Sequence, residues 1–230
     1  MKNDSEQQLE KDYGEYPDWA IMLKKYSQEI YFNYLDLRQN ILKDGILTKK
    51  EKNLILVGVN AAKRYMPSMM GHTKIAILYG ATPSEIAEVV LIGIISRGIP
   101  SWIVGKNAVS YAEQITKVKV QLKGKKITEE TEPSWLIELK AISKEIGDNY
   151  SKLRIKLLQD GHVSHLLKEL ILAGINLVDG YEEGVRLHIK NSVKLGATKQ
   201  HLFELSTTLL LTAGIPVWFN ILPFIKQQDF

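Results

Sequence analysis

The 230-residue sequence contains no cysteine. This absence excludes a disulfide scaffold, a zinc–thiolate site, a cysteine-ligated iron–sulfur cluster and any thiol nucleophile. A strong excess of one charge is also lacking, because 30 Lys and Arg face 26 Asp and Glu for a net charge of +4. Nucleic-acid-binding proteins usually concentrate far more positive charge on one face. With 45% hydrophobic residues, the chain is long enough to bury a sizeable core and is neither disordered nor fibrous.

What the sequence does contain is an internal duplication. When residues 17–102 are aligned without a gap to residues 133–218, an offset of 116, 32 of the 86 positions are identical. Unrelated segments of ordinary composition would share about five or six. The sequence therefore predicts a polar N-terminal segment at 1–16, a first repeat at 17–116, a linker at 117–132 and a second repeat at 133–230. Shared positions include Trp19/Trp135, Arg38/Arg154, Asn60/Asn176, Tyr65/Tyr181, His72/His188 and Gly98-Ile99-Pro100/Gly214-Ile215-Pro216.

Targeting and membrane signals are weak. The first 16 residues lack the apolar core of a secretory signal, so we expect a cytoplasmic protein. Residues 205–225 form an uncharged run long enough to cross a bilayer. The matching stretch of the first repeat, 89–109, contains Arg97 and Lys106. Because the two repeats share one pattern, we expect core helices in both and no membrane partner.

Within each repeat the hydrophobic spacing is helical. Residues 19–43 carry apolar side chains at steps of three and four, which predicts one helix that ends at Asp44-Gly45. Capping boxes at 48–51 and 82–85 begin two further helices. Sustained alternation occurs only at 118–122. We therefore predict an all-α fold made of two similar bundles of about five helices each.

The linker has two interpretations. Between residues 117 and 126 it holds five lysines and no acid, followed by glutamates at 129, 130 and 132. It is either a patch that binds polyanions or a solvated connection. Since no arginine and no aromatic residue is interleaved with the lysines, we favour the solvated connection and expect no nucleic-acid partner.

The segments that follow the two paired histidines have a familiar pattern. Residues 72–90, which include Gly80-Ala81-Thr82, resemble the core of the carboxymuconolactone decarboxylase/AhpD-like superfamily, as do residues 188–198. The resemblance implies a tandem duplication of an AhpD-like helical bundle. It also implies self-association with sites at helix and subunit interfaces. For two fused copies we expect a homotrimer that forms a pseudo-hexamer.

This superfamily has two chemical branches. The thiol peroxidase-like branch places a Cys-x-x-Cys before the histidine, and those positions are Tyr65 and Ser68 in one repeat and Tyr181 and Gly184 in the other. Thiol peroxidase activity is therefore excluded. The other branch is a cofactor-free lactone decarboxylase that works by acid–base chemistry at the histidine. It carries an acid four residues before that histidine, where this chain has Ser68 and Gly184, with Glu183 one residue out of register.

The resemblance also implies a glutamate in the site, 19 residues before the histidine. That residue is Glu169 in the second repeat, whereas the first repeat has Asn53. A histidine with a pKa of about 6.5 exchanges protons at neutral pH, as decarboxylation and lactone isomerisation require. We therefore expect His188 to act as general acid/base with Glu169 as its orienting partner. His72 belongs to an altered second site or to a structural partner.

Further candidates surround the histidines. Tyr181 and Tyr65 precede them by seven residues and are expected to donate hydrogen bonds to a developing oxyanion. Ser68, Trp102 and Trp218 are candidate substrate-binding residues, although both tryptophans also suit core packing.

The remaining histidines, at 162, 165 and 201, occur in one repeat only and are expected on loops or on the surface. No metal site is predicted, because the residues three and four positions from His188 are poor zinc ligands. The sequence therefore favours a cytoplasmic lyase without a cofactor that acts on a small organic acid or lactone. The alternative is a non-catalytic oligomeric homologue or small-molecule-binding module, in which each histidine is a buried structural residue.

Overall fold

The computed structural model describes residues 3–124 and 132–226. Within these ranges all regular secondary structure is helical, without a strand, so the predicted all-α fold is confirmed. Residues 125–131, which include part of the lysine-rich linker, lie outside the described residues. The helices are α1 (Asp4–Tyr13), α2 (Asp18–Tyr26), α3 (Gln28–Leu42), α4 (Lys49–Ala62), α5 (Met66–Leu78), α6 (Pro83–Arg97), α7 (Ile99–Thr116), α8 (Ser134–Ile142), α9 (Lys144–Leu158), α10 (His165–Asp179), α11 (Glu182–Lys194), α12 (Lys199–Ala213) and α13 (Pro216–Lys226).

The duplication is visible in the helix bounds. Helices α2 to α7 of the first repeat correspond to α8 to α13 of the second, and α3 and α9 match at both ends with an offset of 116. Each repeat thus has six described helices, one more than the spacing predicted. The additional helix arises because the stretch 19–43 is broken. Ser27 adopts an extended conformation there, and its hydroxyl accepts a hydrogen bond from the backbone N–H of Ile30, which caps α3. Ser143 does the same for α9.

The polar N-terminal segment also contains structure that its composition did not indicate. Asn3 caps α1 by accepting a hydrogen bond from the backbone N–H of Glu6, and Gly14 ends the helix with φ +73°. Leu9 of this helix is buried with Tyr31 and Leu35 of α3. Helix α1 therefore docks on the first repeat.

The two repeats share one hydrophobic core, which is organised around the buried helices α4 and α10. These helices approach each other at equivalent glycines. A β-carbon on Gly58 would lie 2.9 Å from Cγ2 of Ile171, and one on Gly174 would lie 3.4 Å from Cγ2 of Val59. A larger residue at Gly58 would push the helices apart, because backbone of α6 also lies 3.0 Å from the added carbon. Among the described residues, no helix is both long and apolar enough to cross a bilayer.

A glutamate of the second repeat holds a loop of the first. Glu204 of α12 accepts hydrogen bonds from the backbone N–H groups of Ile46 and Leu47 at 3.0 and 3.1 Å, and lies 3.0 Å from Nζ of Lys52. A β-carbon on Gly45 would collide with this carboxylate, which explains the glycine there. Burial alone would raise the pKa of Glu204, but hydrogen bonds from Gln200, this loop and Lys52 outweigh it and lower the pKa to about 2.

The reciprocal contact exists on the other side of the molecule. Glu88 of α6 accepts hydrogen bonds from the backbone N–H groups of His162 and Val163 at 3.0 and 3.1 Å, and lies 2.9 Å from Nζ of Lys168. Here Gly161 leaves room for the carboxylate. Each repeat therefore ties down the loop that precedes the central helix of its sister.

Replacing Glu204 tests the importance of these ties. We expect Glu204→Gln to lower the free energy of unfolding by about 3 kcal/mol, because it leaves the ammonium of Lys52 buried without a counter-charge. Urea denaturation monitored by circular dichroism measures the change. Glu182→Gln, which affects an exposed pair with Arg186, is the control and should change the value by less than about 1 kcal/mol. Similar decreases in the free energy of unfolding for both variants would show that the Glu204 contacts stabilise the fold no more than an exposed ion pair does.

Candidate active site

The candidate site of the second repeat is built on helices α10 and α11. His188 of α11 is buried, and its Nδ1 lies 2.6 Å from Oε2 of Glu169 on α10. The carboxylate accepts this bond, so Nδ1–H donates and the ring orientation is fixed. The structure thus brings together the histidine and the glutamate that were separated by 19 residues in the sequence.

Glu169 is surrounded by further cations and donors. Its Oε1 lies 3.4 Å from Nε2 of His165, 3.8 Å from the Arg154 guanidinium and 3.3 Å from the amide nitrogen of Asn191. Burial of this carboxylate would raise its pKa, but the nearby imidazoles of His165 and His188, together with the charge of Arg154, lower it to about 2. Glu169 is therefore a carboxylate at every physiological pH.

A cavity of about 580 Å³ reaches this histidine. Its lining comes from both repeats: Ile95, Ser96 and Arg97 of α6, then Pro133, Ser134, Trp135, Tyr150, Arg154, Asn176, Tyr181, Glu183, Gly184, Arg186, Leu187, His188 and Lys190. The hydroxyl of Tyr150 donates to the carbonyl oxygen of Ile95 at 2.7 Å and joins the two walls. The site therefore lies at the junction of the repeats.

Tyr181 lines this cavity together with His188, as its spacing suggested, but from a different position. It precedes α11 as the N-cap residue, so it does not lie on the same continuous helix, and it is half exposed. Its hydroxyl donates to Oε2 of Glu183 at 3.2 Å. Glu183 thus lines the cavity although it is one residue out of the expected register. At Gly184 an added β-carbon would lie 2.6 Å from the side chain of Asn176, so the expected register has no room for an acid.

The cavity also presents positive charge. Arg97 of the first repeat forms an ion pair with Asp179, and Arg186 forms an exposed pair with Glu182 at 2.8 Å. Lys190 also lines the cavity. Such a lining favours anionic ligands. Among residues 3–124 and 132–226, no three His, Asp or Glu side chains converge as a metal site requires.

The first repeat retains the geometry but not the charge. Nδ1 of His72 lies 2.9 Å from Oδ1 of Asn53, whose amide nitrogen donates to the carbonyl oxygen of Lys49 at 2.8 Å. Burial, reinforced by the nearby charge of Arg38 and opposed by Asp12, lowers the pKa of His72 to about 3. This histidine is therefore neutral near pH 7 and has no carboxylate partner to stabilise a protonated ring.

The other candidates lie apart from the cavity beside His188. Tyr65 is the N-cap residue of α5 and is exposed, and Ser68 follows it on that helix. Trp102 packs on the shared core, and Trp218 does so while also contacting Phe203 edge to face. None of these four lines the cavity. Their roles in a site stay predictions.

Two residues that contact Glu169 were not predicted from the sequence. His165, expected on a loop or the surface, opens α10 and faces Glu169, four residues later. A histidine one helical turn before a buried acid is a signal for such a contact. Arg154 was visible only as a shared position with Arg38. An arginine kept in both halves of a duplication within an apolar helix face could have indicated a buried counter-charge.

Residues 28–113 match the model of the carboxymuconolactone decarboxylase family. A protein from Burkholderia xenovorans LB400, described as a candidate carboxymuconolactone decarboxylase, is 32% identical over 48% of this chain and 87% of its own, with a TM-score of 0.46. The chain belongs to the carboxymuconolactone decarboxylase family. The family resemblance carried by the paired histidine segments is therefore confirmed.

A second solved structure shows the same fold along nearly the whole chain of this family member. It is a candidate γ-carboxymuconolactone decarboxylase subunit from the same strain, 19% identical, with 97% of each chain covered and a TM-score of 0.61. Since its length matches, the tandem arrangement of helices is shared as well as the single bundle. A comparison with curated proteins gives no significant match.

The low pKa of Glu169 makes a prediction about acid stability. The carboxylate stabilises the fold above its unperturbed pKa of 4.5 and loses that effect as the pH falls toward 2. Glu169→Gln should lower the free energy of unfolding by about 3 kcal/mol at neutral pH, because Arg154 loses its buried partner. The variant should also lose less stability than the wild type between about pH 5 and pH 3. Urea denaturation across this range measures both, and parallel pH profiles would contradict the assignment. Glu183→Gln is the matched control.

Proposed function

We propose that the chain is a cofactor-free, carboxymuconolactone decarboxylase-like lyase whose working site lies in the second repeat. Family membership supports a role of this general kind. The observation that carries the finer proposal is the His188–Glu169 pair at the wall of a ligand-sized cavity. The proposed substrate is a small organic acid or lactone.

The pair suits His188 to proton transfer. Because Glu169 accepts the Nδ1–H bond, Nε2 is the nitrogen that exchanges a proton with the substrate. The buried carboxylate also stabilises the imidazolium that forms when Nε2 accepts a proton. His165 and Arg154 keep Glu169 ionised, so this support persists in weak acid.

The proposed reaction is loss of CO2 from a carboxylate on the carbon next to the carbonyl group of a lactone or keto acid, the β-keto arrangement. The C–C bond to the carboxylate breaks, and its electron pair moves to the carbonyl oxygen to give an enolate. Hydrogen bonds from cavity donors, with Tyr181 as the candidate, stabilise this oxyanion. His188, protonated at Nε2 by solvent, then delivers that proton to the carbon and returns to the neutral form. Arg97, Arg186 and Lys190 hold the anionic substrate.

Replacing the histidine tests this function. With carboxylated lactones as probes, we expect His188→Ala to lower kcat for CO2 release by about 100-fold or more. His162→Ala, outside the cavity, is the control and should stay within about twofold of wild type. Incorporation of solvent deuterium into the product reports the protonation step. Equal rates for wild type and His188→Ala would remove this role from His188.

The alternative is a module that binds small molecules without turning them over. Gly184 favours it, since the acid of the decarboxylase branch has no space at that position. Saturable binding of the lactones in calorimetry, without CO2 release in any variant, would decide for this alternative.

We also propose that the chain forms a homotrimer in which six repeats make a pseudo-hexamer. Equivalent apolar side chains are exposed in both repeats, including Ile21 with Ile137 and Ile103 with Phe219. Repetition of an exposed apolar face at both copies suits a symmetric assembly. Light scattering should give about three times the chain mass, and the double change Ile21→Glu with Ile137→Glu should reduce it. A wild-type monomer would contradict the proposal.

A further inference from the structure

The first repeat contains a buried carboxylate that comes from outside the repeat. Asp12, near the end of α1, is 1% exposed. It accepts hydrogen bonds from the Arg38 guanidinium at 3.0 Å, from Nζ of Lys49 at 2.9 Å and from the hydroxyl of Tyr79 at 3.1 Å. Gln8 of the same helix adds a fourth at 2.7 Å. The first three donors belong to the repeat and form a ready-made carboxylate site.

The second repeat shows what this carboxylate replaces. Arg38 and Lys49 correspond to Arg154 and His165, which are two of the residues that face the Glu169 carboxylate. The residue equivalent to Glu169 in the first repeat is the neutral Asn53. Two buried cations would therefore lack a counter-charge within the first repeat, and α1 supplies one from another part of the chain.

Helix α1 also fills the region of the first repeat that corresponds to the cavity of the second. A β-carbon on Gly71 would lie 3.2 Å from the ring of Tyr13, and that ring lies 5.4 Å from the Arg38 guanidinium. Lys74 donates from Nζ to the carbonyl oxygen of Tyr13. The equivalents of Gly71 and Lys74 are Leu187 and Lys190, which line the cavity of the second repeat. Tyr13 thus occupies the region of the first repeat that corresponds to the cavity beside His188.

We propose that the first repeat holds a second, latent binding pocket for small carboxylates, formed by Arg38, Lys49 and Tyr79 and occupied in cis by Asp12 of α1. We infer a carboxylate ligand because these donors already bind the carboxylate of Asp12. Helix α1 acts as a plug that competes with free carboxylates. This inference concerns the first repeat alone and goes beyond the function proposed for the second.

Chemical rescue tests the latent pocket. We expect Asp12→Ala to lower Tm by about 10 °C, because it leaves two buried cations unpaired. Sodium acetate should then restore about half of that loss in a saturable manner, whereas sodium chloride at equal concentration should not. The wild type, whose pocket is filled, should show no difference between the two salts. Asp4→Ala, which removes an exposed acid from the same helix, should behave like the wild type.

Moving the carboxylate from position 12 to position 53 provides the second test. Asp12→Asn should lower Tm. Adding Asn53→Glu should reverse at least half of that decrease, because it places a carboxylate at the position that Glu169 has in the second repeat. The double variant should not respond to acetate.

Identical effects of acetate and chloride on both Asp12→Ala and Asp12→Asn would overturn the proposal. If Asp12→Ala folds only when acetate is present, that dependence is itself the rescue; failure to fold in either salt, with Asp12→Asn also unresponsive, counts against it. No readout here uses turnover, so a negative result leaves the lyase proposal standing, and the absence of CO2 release leaves the latent pocket standing.

Discussion

The exchange of glutamates between the repeats is the interaction on which the rest of the structure depends. Glu204 and Glu88 each reach into the sister repeat and bind the loop that leads into a central helix. Because α4 and α10 begin directly after these loops, the contacts attach the start of each central helix to the sister repeat. The same helices carry Asn53 and Glu169, so each residue that pairs with His72 or His188 lies on a helix whose preceding loop is held by the other repeat.

A second constraint is the buried arginine that both repeats contain. A guanidinium in a low-dielectric interior requires a carboxylate nearby, and the two repeats meet this need differently. In the second repeat Glu169 serves both Arg154 and His188, so charge balance and the candidate chemistry coincide. In the first, Asp12 serves Arg38 while His72 binds a neutral amide. In the first repeat the two roles are therefore separate, because the acid that neutralises Arg38 is not the residue that binds His72.

Much of the fold was predictable because duplication and helical spacing are written into local sequence. The 116-residue offset and the capping boxes follow from residue types at fixed separations, whereas the pairing of His188 with Glu169 was implied by the family resemblance. The break at Ser27 was not predictable from spacing, since a single side chain–backbone hydrogen bond interrupts a pattern that stays apolar on both sides. The docking of α1 was missed because a single buried leucine and the ion pairs of Asp12 with Arg38 and Lys49 attach it, and its mostly polar composition gives no sign of them. Tertiary contacts of this kind leave little trace in the segment that makes them.

The wall that α6 lends to the cavity makes the fused chain different from an assembly of identical single repeats. Arg97 lines the site of the second repeat, whereas its equivalent on α12 is Ala213. In a symmetric assembly of one-repeat chains, any substitution appears at every site at once. In the fused chain, α6 and α12 are encoded separately. The surroundings of one histidine can therefore change while those of the other stay the same. Fusion thereby releases the two sites from having to evolve together.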